Sequence, residues 1–111
     1  MRAYAGLRRR AEFTALRRRG ALSSRPTLSL YRVPTRGERR SRAGITVGSA
    51  VGKAVVRNTV RRRIGAALHE LLLAREPLVL LVVAKPAAAE ADFHRLRSDL
   101  QAALEAGSSS R

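Results

Sequence analysis

The clearest chemical signal in the chain is a basic run at positions 53–64, which reads KAVVRNTVRRRI. Guanidinium groups donate paired hydrogen bonds to phosphate, which makes arginine well suited to binding polyanions. An asparagine within a helix has a modest propensity cost, which is easier to explain if its amide binds an outside partner. A charged, solvated helix face is the simpler alternative, but no acid follows the arginines until Glu70. We therefore predict a polyanion-binding surface that contains Arg57, Asn58, Arg61 and Arg62.

Two aromatic residues are candidates for stacking on unpaired bases. Tyr31 is the better of the two, because it alternates with the leucines of a predicted strand and so lies on the opposite face. Phe13 is equally well explained by core packing, since few other large apolar residues stand near it in the sequence.

Catalytic chemistry by the protein itself is not indicated. The segment 48–54 (GSAVGKA) has the Gly-Lys of a phosphate-binding loop, but only three residues separate its glycines, and Ala54 replaces the required hydroxyl. The eight acids are scattered, cysteine is absent, and His69 and His94 lie in different predicted helices without an evident partner. We expect no catalytic residue and no tightly bound cofactor in the protein, and the sequence leaves metal binding open.

Charge is the dominant feature of the composition. The 111 residues carry a net charge of +15 and are 45% hydrophobic, which fits one folded domain. Residues 1–63 hold 18 basic and two acidic residues, whereas residues 64–111 hold five and six. Nucleic acid is the leading partner class, an anionic membrane is the second, and no protein partner is expected. No apolar run approaches the ~18 residues of a membrane span, so we expect a cytoplasmic protein.

The first half of the chain predicts one helix and two or three strands. Gly20 suits the end of a helix over Arg8–Arg19. Alternating residues predict strands over Thr27–Val33 and Ala43–Gly48, and a shorter strand is possible at Ala21–Ser23 or around Val51. Between the two longer strands, Pro34–Arg42 has the composition of a mobile loop.

The second half predicts helix, strand and helix. Apolar residues at helical spacing in Val55–Leu73 form one stripe, with Arg57 at its border and Gly65 on the opposite side, where a polyanion could approach closely. The apolar run Leu78–Ala84 predicts a strand covered on both faces. Asp92 is a plausible cap for a last helix that ends at Gly107.

These elements predict a single α+β domain over residues 1–111, an α/β sandwich with one mixed sheet of about four strands in the order α-β-β-β-α-β-α. Residues 1–7 and 107–111 are expected to be flexible.

The chain resembles the bacterial ribonuclease P protein component over nearly its full length. The resemblance depends on the order and spacing of several short pieces: Glu12-Phe13, Leu30-Tyr31, AGITV at 43–47, GKAVVRN at 52–58, Arg61-Arg62 and VVAKP at 82–86.

The resemblance implies a left-handed βαβ crossover and a subunit that joins a catalytic RNA. That RNA, with Mg²⁺, removes the 5′ leader from precursor tRNA. It implies that the protein raises substrate affinity and lowers the magnesium requirement. It also implies RNA binding by the basic helix and a leader-binding cleft. The matching positions are Lys53, Arg57, Asn58, Arg61 and Arg62 for the RNA subunit, and Phe13 and Tyr31 for the leader.

Five positions depart from the family pattern, so no contact is carried over to them: Arg17, Ser49, Ala50, Thr59 and Gly65. Thr59 and Gly65 stand where the family usually has arginine. A general RNA-binding or ribosome-associated module stays open as the alternative function on charge alone.

Overall fold

A five-stranded mixed sheet forms the centre of the molecule, in a computed structural model that describes residues 2–35, 37 and 39–109. The strands are β1 (Tyr4–Gly6), β2 (Ala21–Ser24), β3 (Leu28–Val33), β4 (Ser41–Thr46) and β5 (Val79–Ala84). The helices are α1 (Arg10–Arg19), α2 (Ala54–Leu73) and α3 (Phe93–Ser109), with 3-10 turns at Ser49–Val51 and Pro86–Glu90. Across the sheet the order is β1-β4-β5-β3-β2, with β1, β4 and β5 parallel and the other two pairings antiparallel.

Strand β5 is covered on both faces, as its continuous apolar run predicts. Leu80 and Val82 point into the larger core cluster, to which α2 and α3 also contribute residues. Leu81 belongs instead to a smaller cluster with Leu16 of α1. All three β5 residues are fully buried. Helices therefore lie on both sides of one mixed sheet, which confirms the predicted α+β sandwich.

The basic helix is the connection between two parallel neighbours. Strands β4 and β5 pair in parallel, and the chain between them passes through α2. This is the βαβ unit whose left-handed crossover the resemblance implies.

Strand β1 is the main difference from the predicted order. The sequence predicts flexibility for residues 1–7, but Tyr4–Gly6 pairs with β4 in the register Tyr4 to Ser41 and Gly6 to Ala43. Three residues are too few to show alternation, so only the long-range pairing with β4 defines this strand. The sheet consequently has five strands rather than about four, and a strand precedes the first helix.

Several boundaries also differ. Of the two places considered for a short strand, Ala21–Ser24 is β2, whereas Val51 lies buried in a 3-10 turn. Strand β4 takes in Ser41 and Arg42 from the expected loop, whose residues 36 and 38 lie outside the described part of the chain. Asp92 accepts a hydrogen bond from the Arg95 amide (2.8 Å), as a helix cap should.

The last helix does not end at Gly107 but continues to Ser109. Of the segment 107–111, which is expected to be flexible, residues 110 and 111 lie outside the described part of the chain.

Candidate nucleic-acid interface

Helix α2 has one buried side and one basic side. Its predicted apolar stripe packs into the core, with Val60, Ile64 and Leu68 at most 1% exposed. Three exposed members of the predicted RNA-binding set, Asn58, Arg61 and Arg62, lie on the opposite side, and the exposed Lys53 stands just before the helix.

Hydrogen bonds within α2 orient its guanidinium groups. Arg61 Nη1 donates to Asn58 Oδ1 (2.9 Å), and Arg62 Nη2 donates to Thr59 Oγ1 (3.3 Å). Thr59 Oγ1 itself donates to the Val55 carbonyl (3.1 Å). Thr59, which departs from the family pattern, thus helps to position the neighbouring arginine rather than adding a charge.

Arg57 differs from the rest of the predicted set because it is half-buried. Its Nε atom is buried and has no protein hydrogen-bond partner among the described residues. At 100° per residue, Arg57 lies about 20° from the fully buried Ile64 around the helix. Its half-buried side chain is therefore set back from the exposed arginines.

A cavity of about 580 Å³ joins the basic helix to the first helix and the sheet. Residues of four elements and their flanks line it: Arg2, Tyr4, Gly6, Leu7, Phe13, Ala43, Gly44, Ile45, Asn58, Arg61 and Arg62. Because the pairing of β1 with β4 ends at Gly6 and Ala43, β4 continues past its neighbour at this point. The cavity brings together two predicted sites, the α2 cations and Phe13, which stand 45 or more residues apart in the sequence.

The ring of Phe13 lies directly on the backbone of Gly44. A Cβ atom at position 44 would be only 2.8 Å from Phe13 Cε2 and from Leu7 Cδ1. Phe13 is half-buried and also packs against the smaller core cluster. The two interpretations of this residue, core packing and a wall of the site, are therefore compatible.

Tyr31 lies on the same face of the sheet as Phe13, opposite the buried Leu28 and Leu30. It is half-buried against the smaller cluster, and its strand is separated from β4 by β5. The cavity that Phe13 lines does not include Tyr31. The structure thus places the two predicted leader-contacting aromatics on one face but at different distances from the α2 cations.

Glu12 fixes the start of α1 beside this cavity. Its Oε1 accepts hydrogen bonds from the amides of Arg8 (2.8 Å) and Arg9 (3.1 Å), and its Oε2 pairs with the guanidinium of Arg42 on β4. The two backbone hydrogen bonds, followed by the Arg42 interaction, lower the pKa of Glu12 to about 2. The carboxylate therefore ties the helix that carries Phe13 to the strand that carries Gly44.

Part of the positive charge has structural partners. The described residues include ion pairs of Arg42 with Glu12 and of Arg97 with Glu70. Arg63 donates to the Ala91 carbonyl (2.9 Å), and Arg32 donates to the Leu104 carbonyl near the end of α3. Burial, and secondarily the charge of Arg75, lowers the pKa of Arg32. The net charge of the chain therefore overstates the number of cations that an RNA could meet.

The predicted role of Gly65, to let a polyanion approach the helix closely, is contradicted by its position. It is buried, and a Cβ atom there would lie 3.1 Å from Arg2 Nη1 and 3.3 Å from Tyr4 Oη. The missing side chain thus admits the N-terminal segment of the protein itself. His69 likewise has a partner that the sequence does not reveal, since its Nδ1 accepts a hydrogen bond from the Ala3 amide (2.9 Å).

The Gly-Lys segment has a structural explanation. Residues 49–51 form the 3-10 turn, and Gly52 has φ +151°, a conformation that other residues rarely adopt. Across the described residues, no group of three or more His, Asp or Glu side chains could hold a metal ion. None of the described helices is both long and apolar enough to cross a membrane.

Comparisons with known proteins agree with this geometry. The family model described as Ribonuclease P matches residues 1–107. The chain belongs to the ribonuclease P protein family. The ribonuclease P protein component of Streptomyces bikiniensis is 41% identical over 108 residues, covering 89% of this chain and 88% of its own length. That of Pseudarthrobacter chlorophenolicus is 40% identical over 100 residues, covering 89% of this chain and 74% of its own length.

Solved members of the family share the fold. The RNase P protein from Staphylococcus aureus has a TM-score of 0.83 at 20% identity, covering 92% of this chain and 94% of its own. The RNase P protein from Thermotoga maritima, solved in complex with 1-(4-fluorophenyl)-2-thiourea, has a TM-score of 0.76 at 23% identity, covering 86% and 92%.

Family membership decides between the functions considered from the sequence. The chain is a protein component of ribonuclease P, an endoribonuclease whose RNA carries out catalysis, and its partner is the RNase P RNA. A general RNA-binding or ribosome-associated module is not favoured.

The close approach at Gly44 generates a stability prediction. Gly44→Ala should reduce the free energy of unfolding by about 1–3 kcal/mol, because the added methyl overpacks the Phe13 ring and Leu7. Gly6→Ala is the matched control, since nothing lies within 4 Å of a Cβ there. Urea denaturation of both variants checks this prediction, and equal stabilities would contradict it.

Glu12 generates a pH prediction. Its pKa is lowered from 4.5 to about 2, so its stabilising interactions are complete above pH 4.5 and are lost as the pH falls towards 2. Glu12→Gln should flatten the fall of the thermal midpoint over this pH range. Thermal melts of both proteins between pH 2 and 6 check it, and parallel curves would show that Glu12 is not responsible.

Proposed function

We propose that this protein binds the RNase P RNA through the basic side of α2 and binds the 5′ leader of precursor tRNA through the face that carries Phe13 and Tyr31. The proposed RNA contacts are Lys53, Arg57, Asn58, Arg61 and Arg62. The observation that carries the proposal is the cavity shared by Phe13 and the exposed cations of α2. A single strand that leaves the RNA-bound side of α2 can enter it directly.

The physical role of the cations is to offset phosphate repulsion. Two RNA molecules approach each other in the holoenzyme, and each phosphate neutralised by an arginine lowers the repulsion that magnesium would otherwise have to screen. The protein in this proposal raises substrate affinity and lowers the magnesium requirement. The magnesium ions themselves are held by the RNA, supply the cleavage chemistry there, and are not bound tightly by the protein.

The aromatic residues supply contacts that do not depend on sequence. Stacking of a base on an aromatic ring contributes about 1–3 kcal/mol and tolerates any base. Phe13 packs against Gly44 and lines the cavity, and Tyr31 lies on the same sheet face. This arrangement suits a leader whose sequence varies among precursor tRNAs. We further propose that the protein works in the cytoplasm, with these RNAs as its partners and no membrane or protein partner.

Reconstitution with the RNase P RNA tests the proposed function as a whole. At low magnesium, adding the protein should increase the rate of leader removal and lower the KM for precursor tRNA. The same RNA without protein, assayed at high magnesium, is the control for RNA activity. Unchanged cleavage at low magnesium would overturn the proposal.

Arg62→Ala tests the RNA-binding surface. Loss of one phosphate contact should weaken binding to the RNase P RNA and reduce the slope of log K against log salt by about one unit. Arg18→Ala is the charge-matched control, because Arg18 is exposed on α1, across the sheet from α2. Filter binding over a salt series measures both variants. Equal slopes for the two would remove Arg62 from the interface.

Tyr31→Ala tests the leader-binding face. It should weaken binding of precursor tRNA to the holoenzyme while leaving assembly with the RNase P RNA intact. Because Tyr31 also packs in the smaller core cluster, Tyr31→Leu serves as the control that keeps the apolar contact. Affinities for precursor and leaderless tRNA are compared. An equal loss for both RNAs, or a loss of thermal stability alone, would contradict the assignment.

A further inference from the structure

The segment before β1 lies against the predicted RNA-binding side of α2. Arg2 Nη1 is 3.1 Å from the point where a Gly65 Cβ would stand, and Arg2 and Arg62 line one groove of about 510 Å³. The other lining residues of this groove are Gly65, Ala66, His69 and Glu70. Arg2 also lines the larger cavity with Asn58, Arg61 and Arg62. The guanidinium of Arg2, from the segment before β1, thus stands where α2 has no side chain.

Several contacts hold the Arg2 guanidinium in this position. Its Nη1 donates to Tyr4 Oη (2.6 Å), and its Cζ lies 5.5 Å from the centre of the Tyr4 ring, within cation–π range. Tyr4 is only 6% exposed, so the group that orients Arg2 is part of the core. The side chain of Arg2 itself is exposed and can meet a ligand.

The backbone around Arg2 is also anchored. Arg40 Nη2 donates to the carbonyls of Arg2 (2.7 Å) and Tyr4 (3.3 Å), and the Ala3 amide donates to His69 Nδ1 (2.9 Å). A neutral imidazole that accepts at Nδ1 carries its proton on Nε2, which makes His69 a hydrogen-bond donor at its other nitrogen. These contacts fix the segment to the residue that precedes β4 and to α2.

The charge balance of the groove favours an anion. Arg2 and Arg62 are both exposed and contribute two positive charges. Among the described residues, Glu70 is the one acid that lines the groove, and it accepts a hydrogen bond from Arg97 Nε (2.8 Å), which lies outside this set. Two neighbouring guanidinium groups with a nearby imidazole donor match the needs of a backbone phosphate.

We propose that Arg2, held over Gly65, contacts a phosphate of the RNase P RNA together with Arg62, so that the N-terminal segment extends the binding surface of α2. This inference rests on the proposed function, because the ligand is the RNA subunit. Gly65 favours this arrangement, since even a Cβ atom there would stand 3.1 Å from Arg2 Nη1 and 3.3 Å from Tyr4 Oη and would require these groups to shift by a few tenths of an ångström. The proposal also gives a purpose to a glycine in the interior of a helix, where it costs about 1 kcal/mol relative to alanine.

The test compares Arg2→Gln with Arg18→Ala in binding to the RNase P RNA over a salt series. Arg2→Gln should weaken binding several-fold and lower the salt slope by about one unit, whereas Arg18→Ala should match the unaltered protein. Gln removes the charge but keeps a polar side chain, and thermal melts report whether β1 remains in place. Weaker binding with an unchanged slope would show that Arg2 only holds the strand, and would overturn the proposal.

Two further variants separate this inference from the proposed function. Arg2→Lys keeps the charge and should preserve the slope, and a slope lowered as in Arg2→Gln would overturn the proposed phosphate contact. If the unaltered protein binds the RNase P RNA and Arg61→Ala weakens that binding while Arg2→Gln behaves like Arg18→Ala, only the role of Arg2 fails. If the unaltered protein does not bind the RNA or promote cleavage at low magnesium, the proposed function fails with it.

Discussion

Burial of β5 on both faces is the constraint on which the rest of the structure depends. Each fully buried leucine or valine contributes about 1.5–3 kcal/mol, so this strand must be covered by apolar residues from two layers. Helices α2 and α3 cover one face and α1 covers the other, while β3 and β4 occupy both edges. The apolar stripe of α2 is therefore committed to the core, and its basic side has to face outward.

Two glycines allow the elements around β5 to meet at the proposed site. Gly44 lets Phe13 of α1 rest on β4, and Gly65 lets Tyr4 and Arg2 of the N-terminal segment rest on α2. Each glycine removes a side chain from a place where another element must approach closely. The result is a cavity lined by both an aromatic ring and cations. The two proposed functions of this cavity, RNA binding and leader binding, would thus depend on close packing at the same backbone positions.

The excess positive charge serves two different purposes. Some arginines stabilise the fold by pairing with acids or by donating to carbonyl oxygens near helix and turn ends, as Arg42, Arg63 and Arg32 do. Others, including Arg61 and Arg62, are exposed beside the cavity and repel one another in the free protein. A polyanion removes that repulsion, so binding of RNA and stability of the folded protein should support each other.

The sequence by itself determined the long elements, the concentration of charge in the first 63 residues and the motifs of the family. Helical spacing in α2, the apolar run of β5 and the exposed positions of Asn58, Arg61 and Arg62 are local patterns, and local patterns can be read directly. Only the tertiary structure decided the place of β1, the burial of Gly65, and the meeting of Phe13 with the α2 cations. The physical reason is that a three-residue strand has no periodicity of its own and forms because β4 offers it a free edge. Contacts such as Arg2 with Tyr4 and Gly65 then depend on long-range packing, which residue spacing does not encode.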